Sequence, residues 1–163
     1  MLVKITDYLK KKQWAYTNGG KEESLFFSVT GTNGIYHCLV DFSESSLLFA
    51  FITYMGTNCP IEKRMEMAAL LNTINSTLLY GNFEMNSAGD IKYRTSLYYD
   101  DIELTEKVID NIIIKNIYNL DFTAPYLSKF MFGNLTIEDV YNSIFPPNAQ
   151  VIEDTPQAEV SET

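Results

Sequence analysis

Residues 60–98, PIEKRMEMAALLNTINSTLLYGNFEMNSAGDIKYRTSLY, decide the fold. The first half predicts one helix from Pro60 to Tyr80. Pro60 suits the first helical position, and Glu62 complements the dipole in the first turn. Ile61, Met65, Ala68, Leu71 and Leu78 make one apolar stripe, widened by Met67, Leu70 and Ile74. At about 1.5 Å per residue such a helix is about 30 Å long. Gly81 stops it, and Tyr80-Gly81-Asn82-Phe83-Glu84 turns the chain into a hairpin. Phe83 and Met85 then face Ile91 and Tyr93 across a loop containing Ser87-Ala88-Gly89-Asp90. That register sets Glu84 opposite Lys92 or Arg94, an opposite-charge cross-strand pair either way.

Working outward toward the N-terminus, Leu2, Ile5, Tyr8 and Leu9 have helical spacing and lead into Lys10-Lys11-Lys12, a cationic last turn. Asn18-Gly19-Gly20 signals a turn within 14–21. Strand alternation follows. Leu25, Phe27 and Val29 share a face, and Gly31-Thr32-Asn33-Gly34 turns the chain. Tyr36, Cys38, Val40 and Phe42 then oppose Ile35, His37, Leu39 and Asp41. Ser43-Glu44-Ser45-Ser46 forms the next turn, and Leu47–Tyr54 is apolar on both faces.

Toward the C-terminus, Leu104-Thr105-Glu106 opens the last long helix, with Val108, Ile109, Ile112, Ile113, Ile114, Ile117 and Leu120 as an unusually wide apolar set. Pro125 is expected to bend or restart it, and Gly133 to end it. Thr136-Ile137-Glu138-Asp139 reads as a cap opening a final turn or two, and Pro146-Pro147 closes the domain. The order helix, three strands, helix, two strands, helix gives an α+β domain over 1–145, an antiparallel sheet of about five strands packed with helices. Residues 146–163 are polar and carry Glu153, Asp154, Glu159 and Glu162 with no Lys or Arg, so an acidic disordered tail is expected.

The chain has 163 residues, 46% hydrophobic, with a net charge of −9. An acidic surface is repelled by phosphate backbones and anionic bilayers, which argues against nucleic acid and membrane partners. No segment approaches about 18 consecutive apolar residues. The two cysteines, Cys38 and Cys59, form no CxxC, and the N-terminus has no apolar signal core, so a reduced, cytoplasmic protein is expected. Two N-glycosylation patterns, at Asn75 and Asn134, carry no weight without a secretory signal.

Chemistry-bearing motifs are few. His37 is the only histidine, and Cys38 beside it points to the opposite face of its strand. One His and two unspaced Cys do not make a zinc set, and no phosphate-binding glycine pattern occurs. Asp100, Asp101 and Glu103 read as helix-dipole complements rather than a cation site. No catalytic, cofactor or metal residues are assigned, and the chain is expected not to be an enzyme. Phe26, Ile35, Leu39, Phe49, Phe51, Ile113, Ile114 and Ile117 are the candidate interface, because helices on one face of a sheet leave apolar residues on the other. Glu84 and Arg94 are the candidate structural pair.

Glu62-Lys63-Arg64, Ala68-Ala69-Leu70-Leu71-Asn72 with Asn75, Gly81-Asn82-Phe83-Glu84 and Tyr93-Arg94-Thr95-Ser96-Leu97 resemble the YbjN family of bacterial proteins, described as sensory transduction regulators. The resemblance implies a fold similar to the type III secretion chaperones, small acidic dimers that hold extended partner segments, and it supplies no catalytic residues. It covers 1–132 in element order, with the motifs inside 60–98. The Ile-, Asn- and Tyr-rich last helix and the acidic tail depart from the family pattern. The expected function is a non-enzymatic, chaperone-like or adaptor protein that binds a protein segment as a homodimer. The alternative is a regulatory domain responding to a small molecule held between sheet and helices.

Overall fold

The computed structural model describes residues 2–20 and 23–147. An N-terminal helix α1 (Leu2–Lys11) precedes strands β1 (Tyr16–Asn18), β2 (Ser24–Thr30), β3 (Ile35–Ser43) and β4 (Leu48–Asn58). A 3₁₀ turn (Ile61–Lys63) opens α2 (Arg64–Asn75), followed by β5 (Asn82–Met85), β6 (Asp90–Tyr98), α3 (Glu106–Phe132) and α4 (Ile137–Ile144). The strands form one antiparallel sheet in the order β1-β2-β3-β4-β6-β5. The fold is the expected α+β class with one strand more than expected: Tyr16–Asn18, read as part of a turn region, pairs with Leu25–Phe27. The expected tail falls almost wholly on residues 148–163, outside the described residues.

Helices α1, α2, α3 and α4 bury one face of the sheet. Phe27, Tyr36, Cys38, Val40, Phe49, Phe51 and Tyr93 join Ile5, Leu9, Met67, Leu70, Ile109, Ile113, Leu127 and Val140 in one core. At the centre of that core sits a buried polar plug, Asn116 on α3. Thr53 Oγ1 donates to its Oδ1 at 2.6 Å, while its Nδ2 donates to Thr95 Oγ1 (2.9 Å) and to the carbonyls of Phe51 (3.1 Å) and Tyr93 (3.2 Å). A buried amide left unpaired would be costly; here every group has a partner, and the plug ties α3 to both β4 and β6.

Pro125 does not restart the long helix, which runs unbroken from Glu106 to Phe132. A proline has no N–H to give the carbonyl four residues back. That carbonyl, on Asp121, accepts instead from Asn33 Nδ2 at 2.9 Å. The Asp121 carboxylate accepts the backbone N–H groups of Thr32 (2.9 Å) and Asn33 (2.8 Å). The β2–β3 turn is thus docked on the carbonyl that Pro125 leaves free in the interior of α3. Burial pushes the Asp121 carboxyl up, but these N–H donors outweigh it and hold the pKa below the usual aspartate value.

The second helix is shorter and rotated relative to expectation. It ends at Asn75, and Leu79 is fully exposed. Met67, Leu70, Leu71 and Ile74 face the core, whereas Ile61 and Met65 are 76% and 85% exposed. Met65, Ala68 and Leu71 on one side and Met67, Leu70 and Ile74 on the next make two overlapping apolar stripes that compete for the core. Asn75 explains the early end. Its side chain accepts from Phe83 N (2.8 Å) and donates to Phe83 O (2.9 Å), as a neighbouring strand would, and so caps the outer edge of β5. Arg64, at the other end of α2, donates to the carbonyls of Cys59 (3.2 Å), Ser87 (2.6 Å) and Ala88 (2.7 Å). Gly81 (φ +71°) makes the turn, and a β-carbon there would lie 2.6 Å from the Tyr93 hydroxyl. Helix and hairpin are clamped at both ends.

The lysine run forms ion pairs: Lys11 meets Glu106 at 2.6 Å and Lys12 meets Asp110 at 2.7 Å, tying α1 to the start of α3. The predicted cap of α4 is a full capping box between Thr136 and Asp139.

Candidate functional site: the uncovered face of the sheet

Alternation along the strands fixes what lies opposite the core. One row across the sheet is Thr17, Phe26, Leu39, Ile52, Arg94 and Asn82. The next is Ser28, His37, Tyr54, Lys92 and Glu84. A third runs through Ser24, Asp41, Ala50 and Ser96. Ala50 and Ile52 are 4% and 2% exposed yet lie outside the helix-covered core. Phe26, Leu39 and Tyr54 are half-buried, while Ile35 and Tyr98 remain 66% and 69% exposed. The result is an apolar centre of residues from β2, β3 and β4 on the face opposite the one that the described helices bury.

Charge lines one side of that centre. Glu84 pairs in register with Lys92, and Asn82 with Arg94. Glu84 accepts from Arg94 Nε (2.8 Å), Arg94 Nη2 (3.4 Å) and Asn82 Nδ2 (3.2 Å), and meets Lys92 Nζ at 3.0 Å. Partial burial pushes the Glu84 carboxyl up, but the Arg94 and Lys92 cations bring it below its ordinary value. The register is the first of the two expected, Glu84 opposite Lys92, and Arg94, opposite Asn82, reaches Glu84 diagonally, so the predicted pair is a triad.

At one end of the face β4 bulges. Tyr54 pairs with Lys92 and Asn58 with Asp90, so Met55, Gly56 and Thr57 stand opposite Ile91 alone. Gly56 takes φ +77°. Beside this bulge opens a cavity of about 340 Å³ lined by Phe26, His37, Tyr54, Gly56, Thr57, Asn58, Asp90 and Ile91. Phe26 and His37 stack with centroids 5.7 Å apart and planes at 26°. His37 Nδ1 lies 2.9 Å from Ser28 Oγ.

The eight candidate interface residues divide three ways. Phe26, Ile35 and Leu39 come together on the uncovered face. Phe49, Phe51 and Ile113 are not surface residues: each is 0% exposed in the chain's own core. The error is one of parity. Leu47–Tyr54 is apolar on both faces, and Ala50, Ile52 and Tyr54, not Phe49 and Phe51, are the residues on the outer side. Thr53, the polar residue in that run, was the available signal, because it points inward to meet Asn116. Ile114 and Ile117 lie on α3, away from the sheet's open face, with Ile114 39% exposed.

Other reactive groups are dispersed. Cys38 and Cys59 are free and buried, and burial pushes the Cys38 thiol up to about 12, Thr53 acting weakly the other way. Among the described residues no three His, Cys, Asp or Glu side chains gather as a metal set. No helix there is long and apolar enough to cross a membrane.

Residues 2–113 match the sequence model of the YbjN family, described as "Putative bacterial sensory transduction regulator". No curated protein matches the chain. Among solved structures, the fold is similar to the crystal structure of YbjN from E. coli, described as "a putative transcription regulator", with a TM-score of 0.59 at 13% sequence identity, over 79% of this chain and 90% of that one. The residues that carry the motif, Arg64, Asn75, Gly81, Glu84, Tyr93 and Arg94, are those that clamp α2, β5 and β6 together. The family match spans well over half of the chain: this protein belongs to the YbjN family.

Proposed function

We propose that the chain is a non-catalytic regulatory or adaptor module that holds a protein segment against the uncovered face of its sheet and acts as a homodimer. The observation that carries this reading is the one-sided fold. All four described helices serve one face, and on the other Phe26, Leu39 and Tyr54 form a half-buried apolar centre around the buried Ile52. Apolar surface of this kind on a soluble domain is characteristic of interaction sites. The family description as a regulator agrees with it. The outer edge of β5 is capped by Asn75, which leaves the face rather than that edge as the docking surface.

The test uses paired variants in the native cell. Phe26→Glu with Leu39→Glu places two charges in the apolar centre. Ile114→Glu with Tyr118→Glu does the same on α3. The reading predicts that defined co-purifying partners are lost with the first pair and kept with the second, both proteins retaining the wild-type circular dichroism spectrum. Partners kept by the first pair and lost with the second would overturn it.

A second reading, a small-molecule effector site, is favoured by the cavity beside the β4 bulge, whose 340 Å³ is within the usual range for ligand sites. Contrary to the expected position between sheet and helices, this cavity opens on the uncovered face.

A further inference from the structure

The cavity beside the β4 bulge has a chemistry that selects among ligands. Three of its lining residues carry aromatic rings: Phe26 and His37, stacked on each other, and Tyr54, the cross-strand neighbour of His37. Also lining it is a carboxylate, Asp90, which accepts from Asn86 Nδ2 at 2.7 Å. Among the described residues no Lys or Arg lines it. The two cations nearest in register, Lys92 and Arg94, are both drawn to Glu84 on the β5 side of the sheet. The chain as a whole carries −9. Ring faces attract cations through their quadrupole, and a lining carboxylate adds a charge-assisted hydrogen bond for a ligand with N–H donors.

We propose that this cavity binds a planar guanidinium cation, its plane against the aromatic rings and its N–H groups toward Asp90. The docking reading is needed only for the source of the guanidinium, which is then an arginine side chain of the captured segment. A free guanidinium compound satisfies the same site, and the experiment separates the two sources.

The intact ¹⁵N-labelled protein is titrated with N-acetyl-arginine amide, with the neutral isostere N-acetyl-citrulline amide, and with the extended peptide Thr-Val-Arg-Val-Thr. Arginine amide is expected to shift the signals of His37, Tyr54 and Asp90 saturably, and citrulline amide not to. Asp90→Asn and Phe26→Leu are each expected to weaken arginine binding about three- to tenfold, in line with exposed ion-pair and cation–π contributions. Thermal melts of both variants check that the fold survives. Equal binding of citrulline, or no saturable shift with any probe, overturns the proposal. Binding of the amide but not the peptide supports the cavity and counts against segment capture. Peptide binding that both variants leave unchanged supports segment capture and overturns the cavity.

Discussion

Replacing Asn116 with Leu removes an amide but little volume. The structure sets the cost. Thr53 and Thr95, 0% and 1% exposed, both hydrogen-bond Asn116 and lose that partner. Each buried hydroxyl deprived of its partner costs about 1–3 kcal/mol, so the pair costs about 2–6 kcal/mol, less about 1 kcal/mol returned by the added apolar contact. A loss near 3 kcal/mol is a large fraction of a total of about 5–15 kcal/mol. The partner variant, Thr53→Val with Thr95→Val, removes the orphaned hydroxyls. Combined with Asn116→Leu it is expected to recover at least half of the loss, a coupling of more than about 1 kcal/mol in the cycle. Urea melts followed by circular dichroism measure all four proteins. If Asn116→Leu alone melts within about 0.5 kcal/mol of wild type, or the combined variant is simply additive, the plug is not what secures β4. The point bears on function: Asn116 holds Thr53 inward, and so holds Ala50, Ile52 and Tyr54 outward on the uncovered face. A one-residue slip of β4 would exchange the two sets.

Three further outcomes follow from the structure. Asp121 has a folded pKa below its unfolded value, so its contribution is complete above the unfolded pKa of about 3.9 and is lost as pH falls through the folded value; Asp121→Asn should therefore destabilise at pH 7 and narrow its gap to wild type in acid melts. Leu71→Ala should cost about 2–5 kcal/mol because Leu71 is 3% exposed, whereas Met65→Ala, at an 85% exposed site, should stay within about 0.5 kcal/mol in the same denaturant melts. The homodimer predicts twice the 18.6 kDa chain mass in light scattering coupled to gel filtration, and a single-chain mass across a hundredfold concentration range would refute it.

Much of the fold was legible because local signals agreed. Period-two alternation gave β2, β3 and the β5–β6 hairpin, whose pairs Phe83–Tyr93 and Met85–Ile91 follow from keeping apolar residues together. The Thr136–Asp139 box gave α4. What failed was what periodicity cannot decide. Leu47–Tyr54 is apolar on both faces and 61–74 carries two overlapping apolar stripes, so their orientation is set by tertiary partners, Asn116 for β4 and Asn75 with Arg64 for α2. The intrinsic cost of Pro125 argues for a restart, but Asn33, distant in sequence, supplies the missing partner and the helix runs on. The three residues of β1 have no periodicity to read and are recruited by pairing with β2. For the site, Phe26, Ile35 and Leu39 were legible from strand parity; the cavity was not, since it depends on a bulge that brings Asp90 near His37.

Site-specific photocrosslinking in the native cell is the most direct test of the docking face. A benzophenone side chain at position 39, in the apolar centre, and one at position 143, on the helix side, probe opposite surfaces of the same molecule. The account predicts a defined protein adduct from position 39 and none from position 143. Adducts from position 143 with none from position 39 would contradict it.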